Sequence, residues 1–156
     1  MNGDGASPGK TSGQVTELTT IAPIKAGQLD SLRQVLRGVQ DNPSAALQRI
    51  GTIHYARWVI IDDGARLLFT SNFDGTWDRY IEDFSEHLAE GLDRIFGHCE
   101  GYPGARPLGP FKDYIRTHQT QADVFYAAYP EADVKRVRKG LRVLSAFEQL
   151  LEEAQA

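Results

Sequence analysis

The chain carries one cysteine, Cys99, and one methionine, Met1. A lone cysteine excludes an intrachain disulfide and a four-cysteine zinc site, and a reducing cytoplasm is the expected location. No apolar run reaches the roughly 18 residues that a membrane-spanning helix needs, and the first residues lack the apolar core of a signal peptide. Basic residues are not in surplus: 17 Lys and Arg stand against 21 Asp and Glu, a formal net charge of −4. Dedicated nucleic-acid binders usually carry the opposite balance. The stretch Gly5 to Thr11 ends in Gly9-Lys10-Thr11 but falls one residue short of the phosphate-loop spacing, and no strand precedes it.

What is present suits one folded unit. Hydrophobic residues make up 41% of 156 and charged residues 24%, a composition ordinary for globular domains. Residues 1–14 are nearly all small or polar and read as a disordered tail. Residues 15–156 read as a single domain.

The run from His54 to Asp74 is the most informative segment. It reads as two strands joined at Asp63-Gly64, because a type I′ turn needs positive φ at both central residues. That turn sets Ile60 opposite Leu67, Trp58 opposite Phe69, Ala56 opposite Ser71 and His54 opposite Phe73. Side chains alternate along a strand. One face then carries His54, Trp58, Phe69 and Phe73. The other carries Tyr55, Arg57, Val59, Ile61, Leu68, Asn72 and Asp74. The second face is too apolar for free solvation, so a second layer is expected over it. A second copy of the sheet is the simplest cover, which predicts a homodimer.

Elsewhere the pattern predicts a strand over 15–24, a helix over 27–39 and a short helix over 43–50. A long helix over 77–98 follows, with Ile81, Phe84, Leu88, Leu92 and Ile95 as its apolar stripe. A Gly- and Pro-rich loop spans 99–110 and could act as a lid. A short helix over 111–118, a strand over 122–129 and a helix over 132–153 complete the chain. The last helix carries Val134, Val137, Leu141, Leu144, Phe147 and Leu151 on one side.

The order β-α-β-β-α-β, followed by an extra helix, is that of a ferredoxin-like α+β fold: an antiparallel sheet with helices on one face. In this order the chain resembles the dimeric α+β barrel superfamily. Its members include small cofactor-free monooxygenases, haem-degrading enzymes, chlorite dismutases and dye-decolourising peroxidases. The resemblance covers about Val15 to Tyr129 and rests on element order and strand character. It implies a dimeric barrel, an oxidoreductase-type activity on a hydrophobic or aromatic small molecule, and a haem held by a histidine.

The candidate site residues follow. His54 can change charge near neutral pH and is the candidate acid or base; the alternative is a core histidine bonded to backbone. Arg57 and Asn72 are the other catalytic candidates, for an anionic or carbonyl ligand; the alternative pairs Arg57 with a carboxylate such as Glu17 across the sheet or the dimer. Trp58, Phe69, Phe73, Tyr55, His87 and Tyr102 are candidate ligand contacts. His87 and His98 would lie about 16 Å apart along one helix, too far to share a metal; the resemblance to haem-binding relatives implies a single histidine as axial ligand, for which His98 is the candidate. Cys99 sits where a helix dipole disfavours a thiolate, a poor place for a nucleophile. The basic residues from Lys135 to Arg142 read as a solvated face balanced by Glu148, Glu152 and Glu153. Against the enzyme stands a non-catalytic reading: a ligand-binding or dimeric assembly module with structural histidines.

Overall fold

A computed structural model describes residues 9–43 and 45–155. The elements are β1 (Thr11–Ser12), β2 (Val15–Pro23), α1 (Leu29–Asp41), α2 (Ala45–Arg49), β3 (Ile53–Ile61), β4 (Arg66–Asp74), α3 (Trp77–His87), α4 (Ala89–Phe96), α5 (Leu108–His118) and α6 (Val134–Gln155). The class is α+β. Among the described residues one antiparallel sheet runs β1-β2-β4-β3.

The hairpin turns as its sequence predicts. Asp63 (φ 51°) and Gly64 (φ 94°) are the central residues, and the Ala65 amide donates to the Asp62 carbonyl at 2.9 Å. The register pairs Ile60 with Leu67, Trp58 with Phe69 and Ala56 with Ser71. Leu18, Ala22, Leu67, Phe69 and Phe73 therefore point to one side of the sheet. There they join Leu32, Ile81, Phe84, Leu92, Ile95 and Phe111 in a continuous core. Thr76 caps α3, its hydroxyl accepting from the Arg79 amide.

Four expectations need correction. First, the pairing slips at the far end of the hairpin: Ile53, not His54, lies opposite Phe73. A bulge leaves one residue without an opposite number and re-aims its side chain, so His54 does not share the face of Trp58 and Phe69. Second, residues 122–129 form no strand. The free edge of β2 is already occupied, by β1 at one end and by Gln119 and Thr120 at mid-strand. The Ala122 amide then turns away to the Glu17 carboxylate. Third, the long helix breaks at Leu88 (φ −119°, ψ 8°) into α3 and α4. The break lets Phe84 and Leu88 on one side and Leu92, Ile95 and Phe96 on the other all reach the core. Fourth, order begins before Val15: Thr11–Ser12 pair with β2, and only residues 1–8 of the expected tail lie outside the described residues, with most of the phosphate-loop-like stretch.

Among the described residues no helix is long and apolar enough to cross a membrane. The final helix α6 departs from the core. Val134 is buried, and every described residue after it is exposed.

The turn is sensitive to a single methyl group. A Cβ on Gly64 would collide with the Leu29 side chain, at a φ that L-residues rarely adopt. Gly64→Ala should cost about 1–2 kcal/mol, read as a lower urea midpoint with an unchanged slope. An unchanged midpoint would show that the turn does not hold this conformation.

Candidate functional site

Two concavities flank the sheet, one on each side. The first lies on the helix side and encloses about 220 Å³ between α1, α2, α4 and the indole of Trp58. Its walls follow from two matched helical patterns. Val35, Gly38, Val39 and Asn42 project from one face of α1, and Leu88, Gly91, Leu92 and Ile95 from one face of α4 and its cap. Both sets have the i, i+3, i+4, i+7 spacing of a single helix face. In each set the i+3 position is glycine. A Cβ at either glycine would meet nothing within 4 Å. Both glycines are exposed, so the concavity opens to solvent where their side chains are missing.

Trp58 forms the floor, tilted against Phe69 with ring centroids 4.9 Å apart. Its indole nitrogen is buried and has no hydrogen-bond partner among the described residues. A buried donor left unpaired costs about 1–3 kcal/mol. Asn42 and Arg94 are exposed at the mouth. An aromatic floor, aliphatic walls and one unsatisfied donor suit an apolar ligand that carries a single oxygen acceptor.

The second concavity, about 410 Å³, lies on the open side of the sheet. It brings together Tyr55, Arg57 and Asn72 as the alternation predicts, with Glu17, Thr70 and Phe125. Asp74 is not among its lining residues. Within the chain, Arg57 does not pair with Glu17. Arg57 donates from Nε to the Thr70 hydroxyl at 2.9 Å. Glu17, buried, accepts from the backbone amides of Lys10 and Ala122 and from the Thr19 hydroxyl. Tyr55 is 77% exposed.

The remaining candidates fall elsewhere. His54 donates from Nε2 to Asp74 Oδ1 at 2.6 Å, and Asp74 Oδ2 accepts from the Val134 amide at 2.8 Å. The pair therefore ties the hairpin bulge to the start of α6 and lines neither concavity. Phe69 and Phe73 are core residues, with Phe73 stacked on Tyr80 at 3.8 Å. The Tyr80 hydroxyl meets Ser71 inside the core, and burial pushes its pKa up. His87 is exposed at the end of α3. Tyr102 packs between Phe96 and Tyr114 and donates to Asp93 at 2.8 Å. The loop after α4 is pinned rather than free: Ser85 and Asp93 hold Ala105, and Arg106 donates to the carbonyls of Ser85 and Glu86. None of its residues lines the helix-side cavity.

The predicted axial ligand does not suit a haem. His98 donates from Nδ1 to the Ile95 carbonyl at 3.2 Å and accepts at Nε2 from the Ser31 hydroxyl at 2.9 Å, which engages both ring nitrogens. No histidine lines either of these two concavities; His118 borders a third, open one of about 440 Å³ and is held through Nδ1 to the Tyr114 carbonyl at 2.9 Å. A cavity of about 220 Å³ is also below the roughly 300 Å³ where sites for drug-sized ligands begin. Among the described residues no cluster of three or more His, Cys, Asp and Glu could hold a metal ion.

Comparison with family models, with curated proteins and with solved structures finds no match.

Strand alternation points to Trp58 but not to the cavity beside it. The only trace of that cavity in the sequence is a glycine on the apolar side of each of two helices, where propensity argues for alanine, and the two gain meaning only once α1 and α4 face each other.

Cys99 is fully buried, and burial pushes its thiol up to about 11, with Lys25 partly offsetting. At pH 8 the native thiol is therefore both protonated and shielded. Alkylation by iodoacetamide should be at least about a hundredfold slower in the folded protein than in urea, from the lost thiolate fraction alone. Equal rates would show that Cys99 is accessible.

Proposed function

We propose that the protein binds a small hydrophobic molecule, one aromatic ring or a short alkyl chain bearing a carbonyl or carboxylate oxygen, in the cavity beside Trp58. The carrying observation is the glycine-walled cavity with a buried, unpaired indole N–H. A fully apolar cavity of about 150 Å³ holds benzene, so about 220 Å³ leaves room for a ring and one substituent. The acceptor on that substituent would satisfy Trp58, and Arg94 at the mouth suits an oxygen that reaches outward.

This favours the binding module over the oxidoreductase. General acid–base catalysis needs its group within hydrogen-bond reach of the reacting proton. The Asp74-held His54 lines no cavity, and the groups that do line it are a neutral amide, an indole and a guanidinium. A ferredoxin-like reading draws support from β2, α1, β3, β4 and the α3–α4 pair, with β2 beside β4; its last strand has no counterpart. The face-to-face barrel draws its support from the exposed apolar residues of the open face, Tyr55 and Val59.

Two ligands of similar shape separate the elements of this proposal. Acetophenone carries a carbonyl, and ethylbenzene does not. Both should shift the amide resonances of Val39 and Leu92 saturably. Trp58→Phe keeps a ring and removes the donor, so it should weaken acetophenone about fivefold, the worth of one neutral hydrogen bond, and leave ethylbenzene unchanged. Gly91→Leu should abolish both while raising the thermal midpoint, since a helical glycine costs about 1 kcal/mol. Absence of a saturable shift with either ligand would remove the proposal.

A further inference from the structure

The helix α6 has no reason to stand alone. Its 22 residues, Val134–Gln155, span about 33 Å at 1.5 Å per residue. Val137, Gly140, Leu144, Phe147, Leu151 and Ala154 recur at spacings of 3, 4, 3, 4 and 3, the seam of a two-stranded helical pair. The large residues of this seam are 42–55% exposed, and Leu141 beside it is 61% exposed. A helix that buries none of its apolar side lacks the tertiary packing from which most helical stability in proteins comes.

Its charges work against it as well. Lys135 and Lys139, Arg138 and Arg142, and Glu148 and Glu152 are like-charged neighbours at i, i+4, an arrangement that destabilises an isolated helix. The basic block sits in the N-terminal half and the acidic block in the C-terminal half, both opposed to the helix dipole. A helix with this pattern lacks a partner of the reverse pattern, and an antiparallel copy of itself is one.

We infer that α6 pairs with α6 of a second copy of this chain, antiparallel about a two-fold axis between Leu144 and Phe147. In this register Leu144 meets the partner's Phe147. Gly140 makes room for the partner's Leu151, and Val137 meets the partner's Ala154. Glu152 and Glu153 come level with the partner's Lys139 and Arg138, and each basic N-terminal half lies beside an acidic C-terminal half. A parallel pair would set basic block beside basic block along its whole length, a like-charge arrangement that argues against it. This surface is separate from the Trp58 cavity and from the open face of the sheet, so it stands or falls independently of the ligand proposal.

Light scattering on the intact chain at about 10 µM should give about twice the 17.3 kDa chain mass. Leu144→Glu with Phe147→Glu should weaken the dimer at least a hundredfold. Both positions are solvent-exposed in the single chain, so the domain should remain folded, read by slow alkylation of Cys99. Tyr55→Ser with Val59→Ser, on the open sheet face, should leave the dimer intact. Orientation is read by disulfide trapping: a mixture of Val137→Cys and Ala154→Cys chains should cross-link to each other, and Val137→Cys alone should not cross-link to itself. A monomer at 100 µM, a dimer broken by the sheet variant but not by the α6 variant, or self-cross-linking of Val137→Cys would each overturn the inference.

Discussion

Everything in this domain rests on the aromatic layer that β4 presents to the helices. Phe69 and Phe73 are buried at alternate positions, with Ser71 between them. Tyr80 stacks on Phe73 and lies 4.3 Å from Phe84, and Phe69 contacts Phe84 and, edge-on, Phe96. Aromatic side chains bury about 150–250 Å² each and gain further from offset and edge-on contacts. This layer fixes which side of the sheet takes α3 and α4. It also explains the break at Leu88, since one straight helix could not lay Phe84 and Phe96 on the same twisted sheet. Trp58 is the outermost member of the layer. Its indole completes the stack against Phe69 on one side and faces the gap between α1 and α4 on the other. The candidate site is therefore an edge of the core, not a feature added to it.

The local signals that carry through to the fold are those that a single constraint governs. The Asp63-Gly64 turn follows from the need for positive φ, and the pairing of Trp58 with Phe69 follows from the turn. The apolar stripe from Ile81 to Ile95 is buried throughout, because a 3.6-residue period has one structural meaning when a sheet lies beside it. Sequence pattern and structure part where two constraints compete. At His54 the alternation of side chains competes with the hydrogen bond to Asp74, and a bulge accommodates both. At 122–129 a β-like composition competes with an edge already taken by β1, and the edge decides. Nothing local to Ala122–Tyr129 could reveal that Thr11–Ser12 occupy their place. The cavity was illegible for another reason: it is defined by atoms that are absent, and two glycines 53 positions apart become informative only when α1 and α4 are known to face each other.

Those glycines also separate function from stability. Each is open to a larger side chain, and each costs roughly 1 kcal/mol relative to alanine in a helix. The unpaired Trp58 donor adds a cost of similar size. Three unfavourable features, each removable by one substitution, meet at one place. Local sacrifices of stability that converge on one cavity are what a binding site leaves behind, because an unused gap of this size is ordinarily closed by packing. The open-side concavity shows no such convergence. Its buried carboxylate, Glu17, is fully occupied by two amides and a hydroxyl, and Arg57 already has Thr70.

The same logic separates α6 from the other exposed surfaces. Tyr126 and Tyr129 are exposed too, but they lie in an irregular segment whose shape is set by anchors at either end. The anchoring of α6 is one-sided: Asp74 and Asp133 cap its first turn, accepting from Val134 and Arg136, and no described contact in this chain covers the seam beyond it. Asp74 fixes where the helix starts and His54 fixes Asp74, so the hairpin bulge that upset the predicted register has a use. It aims the helix away from the body of the domain. A chain that spends two carboxylates on directing a helix outward, then lines it with leucine, valine and phenylalanine at seam spacing, has prepared a surface for association rather than left one uncovered. The order of its charges then selects the partner, since among the described elements α6 itself, reversed, is the helix with the complementary order.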